Sequence, residues 1–147
     1  MAAINAGDKY KAPFAGEDGN SSNWSGYHKM PAAGSIGDTI DLFEVPAGAK
    51  IDEILEVHSA HGGTAAMTIG WKYKDGSAGG SASALKASAS TVSAGNSVGG
   101  LSPLSLFSSS GGVVDKPIIV YITNSGSAIP LNGEVYVKAS GEFVGFK

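Results

Sequence analysis

The chain has 147 residues, a formal net charge of −3 and no cysteine, so it has the size of one domain and contains no disulfide or thiolate metal site. All ten basic residues are lysines spread from Lys9 to Lys147, so no arginine is available to grip phosphate, and nucleic-acid binding is not expected. No apolar run approaches the ~20 residues that span a bilayer and the first residues lack a secretory pattern, so we expect a soluble protein made in the cytosol.

The N-terminal residues have the composition of an arm. Residues 1–35 contain few aliphatic side chains, several Gly, Asn and Ser residues, and four spaced aromatics at Tyr10, Phe14, Trp24 and Tyr27. Because such a segment cannot form its own core, we predict an extended arm over residues 1–35 and one domain over residues 36–147. The aromatics of the arm either pack back on the domain or dock on a partner, and both alternatives stay open.

The segment from Gly37 to Val57, GDTIDLFEVPAGAKIDEILEV, predicts two β-strands joined at Pro-Ala-Gly. Pro46 presets φ for the second position of a tight turn, and Gly48 suits the fourth position. Strand-forming residues such as Phe43 and Ile51 flank the turn, so we expect a hairpin or a sheet corner.

The middle of the chain predicts one strand followed by a long surface excursion. Met67, Ile69 and Trp71 alternate with polar or small residues, which indicates a half-buried strand with Trp71 in the core rather than on a sugar-binding surface. Residues 77–100 are rich in Gly, Ala and Ser, so we interpret them as a loop with a short helical turn around Leu85. For Trp24 the pattern decides neither role.

The C-terminal third predicts the closing strands. Residues 118–122, IIVYI, are apolar on both faces, as in a strand covered on each side. Val135 and Val137 alternate with polar neighbours in a closing pair of strands that reaches Phe143. Seven or eight short strands without a periodic helix predict an all-β fold, a jelly-roll-like antiparallel β-sandwich with an extended N-terminal arm.

Few residues are candidates for chemistry. His58 and His61 have a spacing that metal ligands use, but no third ligand is evident, so we interpret both as exposed histidines and expect no metal. Three carboxylates, Asp52, Glu53 and Glu56, are interpreted as a solvated edge because their spacing does not pair them. No nucleophile or phosphate-loop motif is present. We therefore expect a protein that is not an enzyme and needs no cofactor.

The order of these segments resembles the small β-rich decoration, or cement, proteins of tailed-bacteriophage capsids. The resemblance covers roughly residues 36–140 and rests on pattern rather than on a signature motif. The segments that carry it are Gly37 to Phe43, Val45 to Ala49, Ile51 to Val57, Thr68 to Trp71 with the turn at Asp75-Gly76, Pro117 to Thr123, and Gly133 to Val137.

The resemblance implies a virion structural protein on the outer capsid surface, which stabilises the shell by binding between subunits of the major capsid protein. It also implies a homotrimer, attached partly through the N-terminal extension. Tyr10, Phe14, Trp24 and Tyr27 are then the candidate capsid-binding residues of the arm. Alternation along the strands predicts that Phe43, Val45 and Ile54 lie on outer faces, where they would suit the oligomer interface. A glycan-binding or host-adhesion sandwich and a head-fibre or tail protein remain alternatives.

Overall fold

The computed structural model describes residues 3–5, 21–100, 107 and 111–145. Within these ranges the chain forms nine β-strands and no helix. In chain order the strands are β1 (Ala3–Asn5), β2 (Ser21–Lys29), β3 (Thr39–Val45), β4 (Ala49–His58), β5 (Ala66–Tyr73), β6 (Ser81–Ser90), β7 (Gly95–Gly100), β8 (Ile118–Ser125) and β9 (Glu134–Phe143).

The strands form two sheets. The five-stranded sheet has the order β1-β3-β8-β5-β6, and the four-stranded sheet has the order β2-β9-β4-β7. Four antiparallel pairs, β2 with β9, β3 with β8, β4 with β7 and β5 with β6, are nested one inside the next. Nested pairing of this kind is what an eight-stranded hairpin has when it is rolled into a double-sheet sandwich. The short β1 adds to the edge of β3 in parallel.

The core lies between the two sheets. Residues along β2 alternate strictly between exposed and buried, as expected for a strand with one solvated face. The largest fully buried apolar side chains are Trp24, Ile40, Leu42, Ile54, Met67, Ile69, Leu85, Ile118, Ile122 and Ile129. Trp71 is 8% exposed and belongs to the same cluster, which confirms its core role. The all-β sandwich expected from the sequence is therefore confirmed.

The sandwich begins earlier in the chain than residue 36. Residues 21–29 of the predicted arm form β2, which pairs along its whole length with β9 and contributes Trp24 to the core. Residues 30–35 of the predicted arm also pack on the sandwich, where Met30 is buried, whereas residues 1–20 lie outside the described residues apart from β1. SSNWSGYHK contains no aliphatic residue, so pairing with β9, rather than aliphatic content, makes this segment a strand.

The prediction of a long loop over residues 77–100 is also wrong. This stretch forms β6 and β7, so the helical turn predicted around Leu85 is a strand whose leucine is buried. Alanine and serine are poor strand formers, and here pairing with β5 and β4 overrides that weak preference. The closing pair of strands is a single strand, β9.

The turn at Pro46 is a sheet corner. It joins β3 in the five-stranded sheet to β4 in the four-stranded sheet. Ala49 N–H donates to the carbonyl oxygen of Pro46 at 3.4 Å, so Gly48 is the third residue of the turn rather than the fourth residue predicted from the sequence. Its φ of 86° is a left-handed conformation that this position requires and that glycine adopts without steric cost.

Candidate functional site

The predicted oligomer interface lies in the core. Phe43 is 3% exposed, and Val45 and Ile54 are fully buried, so none of the three can contact another protomer of this fold. Two β-bulges explain the error, one in β3 between Asp41 and Phe43 and one in β4 after Ile51. Each bulge inserts a residue and changes which side chains face inward beyond it. Strict alternation therefore fails in both strands.

The predicted capsid-binding aromatics differ in burial. Trp24 is 1% exposed and packs in the core, so its indole is not available to a partner or to a sugar ring. Tyr27 is 44% exposed, on the outward face of β2. Tyr10 and Phe14 lie outside the described residues. Of the four aromatics, only Tyr27 is thus placed on a described surface.

The outward face of the four-stranded sheet carries a row of exposed apolar residues. Tyr27 on β2 is opposite Tyr136 on β9, which is opposite Val57 on β4. In the neighbouring row Leu55 is opposite Val98, and Val98 is 60% exposed. Sequence alternation in β9 does place Tyr136 outward, but its neighbours on other strands follow only from the register.

A cleft opens beside this row at the end of the sheet where β2 finishes. Its volume is about 260 Å³, and its lining residues are Tyr27, Val57, His58, Ser59, Glu134, Val135 and Tyr136. Tyr27 donates its hydroxyl to Glu134 Oε1 at 2.9 Å, and Lys29 Nζ lies 3.8 Å from the same oxygen. The hydrogen bond to Glu134 raises the pKa of Tyr27, so the phenol stays protonated.

A buried ion pair joins the two sheets at the side where β6 approaches β7. Lys86 Nζ contacts Glu56 Oε2, and the side chains are 7% and 0% exposed. Ser97 donates its hydroxyl to the same carboxylate oxygen at 3.3 Å, whereas Oε1 has no hydrogen-bond partner among the described residues. The strands approach closely at Gly99, where a Cβ would lie 2.6 Å from the carbonyl oxygen of Leu85.

The burial of Glu56 corrects the interpretation of the carboxylates as a solvated edge. Asp52 and Glu53 are exposed as expected, but Glu56 faces the interior. The β4 bulge between Ile51 and Glu53 is the cause, because it moves the inward positions onto Ile54, Glu56 and His58.

The two neighbouring histidines are buried rather than exposed as the sequence suggested. His58 and His61 are 9% and 6% exposed, with ring centroids 5.7 Å apart. His61 Nε2 lies 3.3 Å from the carbonyl oxygen of Glu134, so this nitrogen carries the proton, and Nδ1 accepts from the Thr91 hydroxyl at 3.1 Å. His58 Nδ1 donates to the carbonyl oxygen of Ser59 at 2.9 Å. The accepting Nδ1 of His61 fits the neutral state of that ring.

Electrostatics around His61 favour that neutral state. Burial lowers the pKa of His61, the hydrogen bond to the backbone of Glu134 raises it, the charge of His58 lowers it and the charge of Glu56 raises it. No group of three His, Cys, Asp or Glu residues within the described part of the chain could hold a metal ion.

The outward face of the five-stranded sheet is charged and internally paired. Lys72 Nζ lies 2.7 Å from Asp41 Oδ1 and 5.3 Å from the centroid of the Tyr121 ring. Lys74 Nζ lies 2.8 Å from Glu44 Oε2. Burial, together with the charge of Asp41, raises the pKa of Tyr121. These charges neutralise each other within the protomer.

A second paired cluster lies near the turn after β5. The hydroxyl of Tyr73 donates to Asp115 at 3.0 Å, and Lys116 lies 3.4 Å from Asp75. Hydrogen bonds from Ser77 and the charge of Lys116 lower the pKa of Asp75.

No helix in the described ranges is long and apolar enough to cross a membrane.

Comparisons with known proteins concern the fold. No family model matches the chain, and no curated protein matches it. The fold is shared with a chain in the solved capsid of Ralstonia phage GP4, at 14% sequence identity and a TM-score of 0.76, over 99% of this chain and 100% of that chain. It is also shared with a chain in the cyanophage Pam1 capsid asymmetric unit, at 17% identity and a TM-score of 0.58, over 88% and 89%. At these identities the likeness shows the same β-sandwich fold.

Proposed function

We propose that this protein is a non-enzymatic virion structural protein that decorates a tailed-phage capsid and cements it by binding between major capsid subunits. The observation that carries the proposal is the end-to-end likeness in fold to a chain of the Ralstonia phage GP4 capsid. A match over the full length of both chains relates the whole molecule, rather than a common sandwich core, to a chain of a phage shell. The sequence resemblance to decoration proteins supports the same function independently.

The ionisable clusters support a structural rather than a catalytic role. The described carboxylate and lysine clusters pair with each other, as in Lys86 with Glu56 and Lys72 with Asp41. The two neighbouring histidines are buried and hydrogen-bonded. A protein of this kind needs no cofactor. It acts on the outer capsid surface and is made in the host cytoplasm.

Attachment to the shell is assigned to the N-terminal residues that precede β2, with Tyr10 and Phe14 as anchors. Trp24 is excluded from this role by its burial, and β2 itself belongs to the sandwich. Several modest anchors repeated in an oligomer give high avidity for an assembled lattice. A protein that binds only the mature shell then stabilises that state by mass action.

The oligomer is proposed to be a homotrimer that associates through the β7 edge. Val98 on β7 is 60% exposed, and Val92, just before β7, is 37% exposed. These two valines replace Phe43, Val45 and Ile54, which are buried, as the proposed interface residues. Exposed aliphatic residues at one sheet edge suit a ring of identical contacts. Leu131, which is 58% exposed and lies in the turn before β9, provides a matched control. Val98→Lys should dissociate the trimer in light-scattering measurements, while Leu131→Lys should leave it intact.

The attachment test uses the full-length protein and a form lacking residues 1–20, which removes the short edge strand β1 but keeps β2. Both are mixed with particles stripped of the native protein and sedimented. We expect the truncated form to melt as a folded protein and to lose most of its binding, and the double variant Tyr10→Ala/Phe14→Ala to bind weakly. Lys9→Ala/Lys11→Ala is the control in the same segment. Undiminished binding by the truncated form would place attachment on the sandwich.

The number of copies per particle distinguishes a decoration protein from a head-fibre or tail protein. Mass spectrometry of purified particles should find the protein at a high copy number, comparable with that of the major capsid protein. A few copies per particle would instead indicate a head-fibre or tail protein. Absence from particles would contradict a virion role altogether.

A further inference from the structure

The cleft on the four-stranded sheet combines flat apolar surface with one positioned carboxylate. Tyr27, Tyr136 and Val57 supply the apolar part, and Val57 and Tyr27 are 40% and 44% exposed. Glu134 Oε1 is engaged by Tyr27 and Lys29, whereas Oε2 makes no hydrogen bond to the residues that the structure describes. An oriented oxygen acceptor is therefore available beside aromatic rings. Sites for small ligands have this composition, apolar walls with few polar groups that fix orientation.

The charge of the cleft favours a neutral ligand. The carboxylate of Glu134 is compensated by Lys29, whose ammonium group lies 3.8 Å away, and by the hydrogen bond from Tyr27. A cationic side chain of a partner protein would compete with Lys29 for the same carboxylate. A neutral hydroxyl group, in contrast, can donate to Oε2 without disturbing that pair, and hydrogen bonds to an ionised acceptor are the stronger kind.

The size of the cleft limits the ligand to about one ring. Its volume of about 260 Å³ lies below the range of roughly 300–1,000 Å³ that holds drug-sized ligands. Tyr27, at the rim of the cleft, is 44% exposed.

We propose that this cleft binds one neutral pyranose ring of a glycan, with a face of the sugar against Tyr136 and a hydroxyl group donating to Glu134 Oε2. Tyrosine presents a rigid amphipathic ring at low entropic cost, which suits a ligand with one apolar and one polar side. The carboxylate selects the orientation, and Val57 covers the far edge of the ring.

The experiment measures binding by the free protein, so its outcome does not depend on any capsid. Isotope-labelled protein is titrated with glucose, galactose, mannose and N-acetylglucosamine and with neutral oligosaccharides of each, and amide and side-chain signals are followed. We expect at least one sugar to bind with shifts centred on Tyr27, Glu134 and Tyr136. Millimolar affinity is typical of so small a contact, about 1 mM corresponding to a single well-placed ring.

Variants localise the binding. Tyr136→Ala should weaken it about tenfold, whereas Tyr136→Phe, which keeps the ring, should bind as the wild type does. Glu134→Gln should weaken it several-fold. Lys138→Ala, on the same outward face of β9 but outside the lining residues, is the matched control. Thermal melts of all four variants confirm that each is folded, and Tyr136→Phe with Glu134→Gln keeps the test decisive if Tyr136→Ala does not fold.

Three results would overturn the proposal. The first is no shift with any neutral sugar at concentrations far above the millimolar range. The second is sugar binding that Glu134→Gln and Tyr136→Ala leave unchanged, because the ligand would then lie elsewhere. The third is binding of a lysine- and arginine-rich peptide in the cleft without any sugar binding, which would identify it as a protein-docking site.

Discussion

Lysine and glutamate meet in two opposite settings in this molecule. Lys86 and Glu56 form a pair inside the sandwich, with side chains 7% and 0% exposed, and it connects one sheet to the other. Lys74 and Glu44 form a pair on the outward face of the five-stranded sheet, with side chains 51% and 23% exposed. The chemistry is the same, and only the surroundings differ. Because desolvation opposes the first pair and solvent screens the second, the two should respond very differently to substitution.

The largest expected effect comes from breaking the buried pair. Lys86→Met leaves the carboxylate of Glu56 buried without its cation, which should lower the free energy of unfolding by about 3–5 kcal/mol. Lys74→Met is the matched control at the exposed pair and should cost at most about 1 kcal/mol. Urea unfolding of both variants checks the comparison. Equal losses in the two variants would show that burial does not distinguish the pairs.

Removing both charges of the buried pair should reverse most of that loss. In Glu56→Gln/Lys86→Met neither member of the pair is ionised, and the exchange of buried pairs for less polar residues is often neutral or stabilising by about 1–4 kcal/mol. Because Glu56 Oε1 lacks a hydrogen-bond partner among the described residues, the native pair is incompletely satisfied, which favours recovery. The readout is a double-mutant cycle in urea. A double variant as unstable as Lys86→Met would mean that the pair itself supplies the stability.

The position of Glu56 can be tested at the bulge that turns it inward. Gly141 on β9 lies opposite the bulge in β4, and a Cβ there would lie 1.9 Å from the carbonyl oxygen of Lys50. Gly141→Ala should therefore lower the free energy of unfolding by about 1–3 kcal/mol through overpacking. Gly95→Ala in β7, whose Cβ would have its nearest neighbour at 3.7 Å, is the control and should be close to neutral. Comparable melting temperatures for the two variants would contradict the close approach.

Lowering the pH should destabilise the folded protein through His61, the neutral histidine beside the buried pair. Burial lowers the pKa of His61 in the folded protein, so between that value and the unfolded value of about 6.5 the unfolded chain binds more protons. The stability that His61 contributes is then present above about pH 6.5 and is lost as the pH falls through the folded pKa. Melting temperatures between about pH 5 and 8 should show this fall in the wild type and a shallower one in His61→Gln. Parallel curves would mean that His61 does not titrate differently in the two states.

Sequence reasoning was most successful where burial on a face follows a simple period. The strand containing Met67, Ile69 and Trp71, the buried run at residues 118–122 and the corner at Pro46 all occur as expected, since each depends on local residue types. It failed for β6 and β7, whose Ala, Ser and Gly residues carry little preference of their own. Those strands exist because β5 and β4 offer them backbone partners.

The candidate sites were predictable only in part. Tyr27 was singled out by residue type and is exposed, but its contact with Glu134 joins residues 107 positions apart and depends on the pairing of β2 with β9. The assignments of Phe43, Val45 and Ile54 failed because a bulge adds one residue, which no period in the sequence reveals. The bulge in β4 also explains why His58 and Glu56 were predicted to be exposed, although both are buried.

The amino-acid sequence by itself determined the class of fold, since β-branched and aromatic residues at period two, separated by Gly and Pro turns, can bury a core only as paired strands. It also determined the absence of cysteine chemistry and of arginine. Tertiary structure decided which polar residues lie inside, where the two sheets meet and which aromatic rings share a face. The physical reason is that these properties depend on register, and register is set by hydrogen bonds between strands that are distant in the chain.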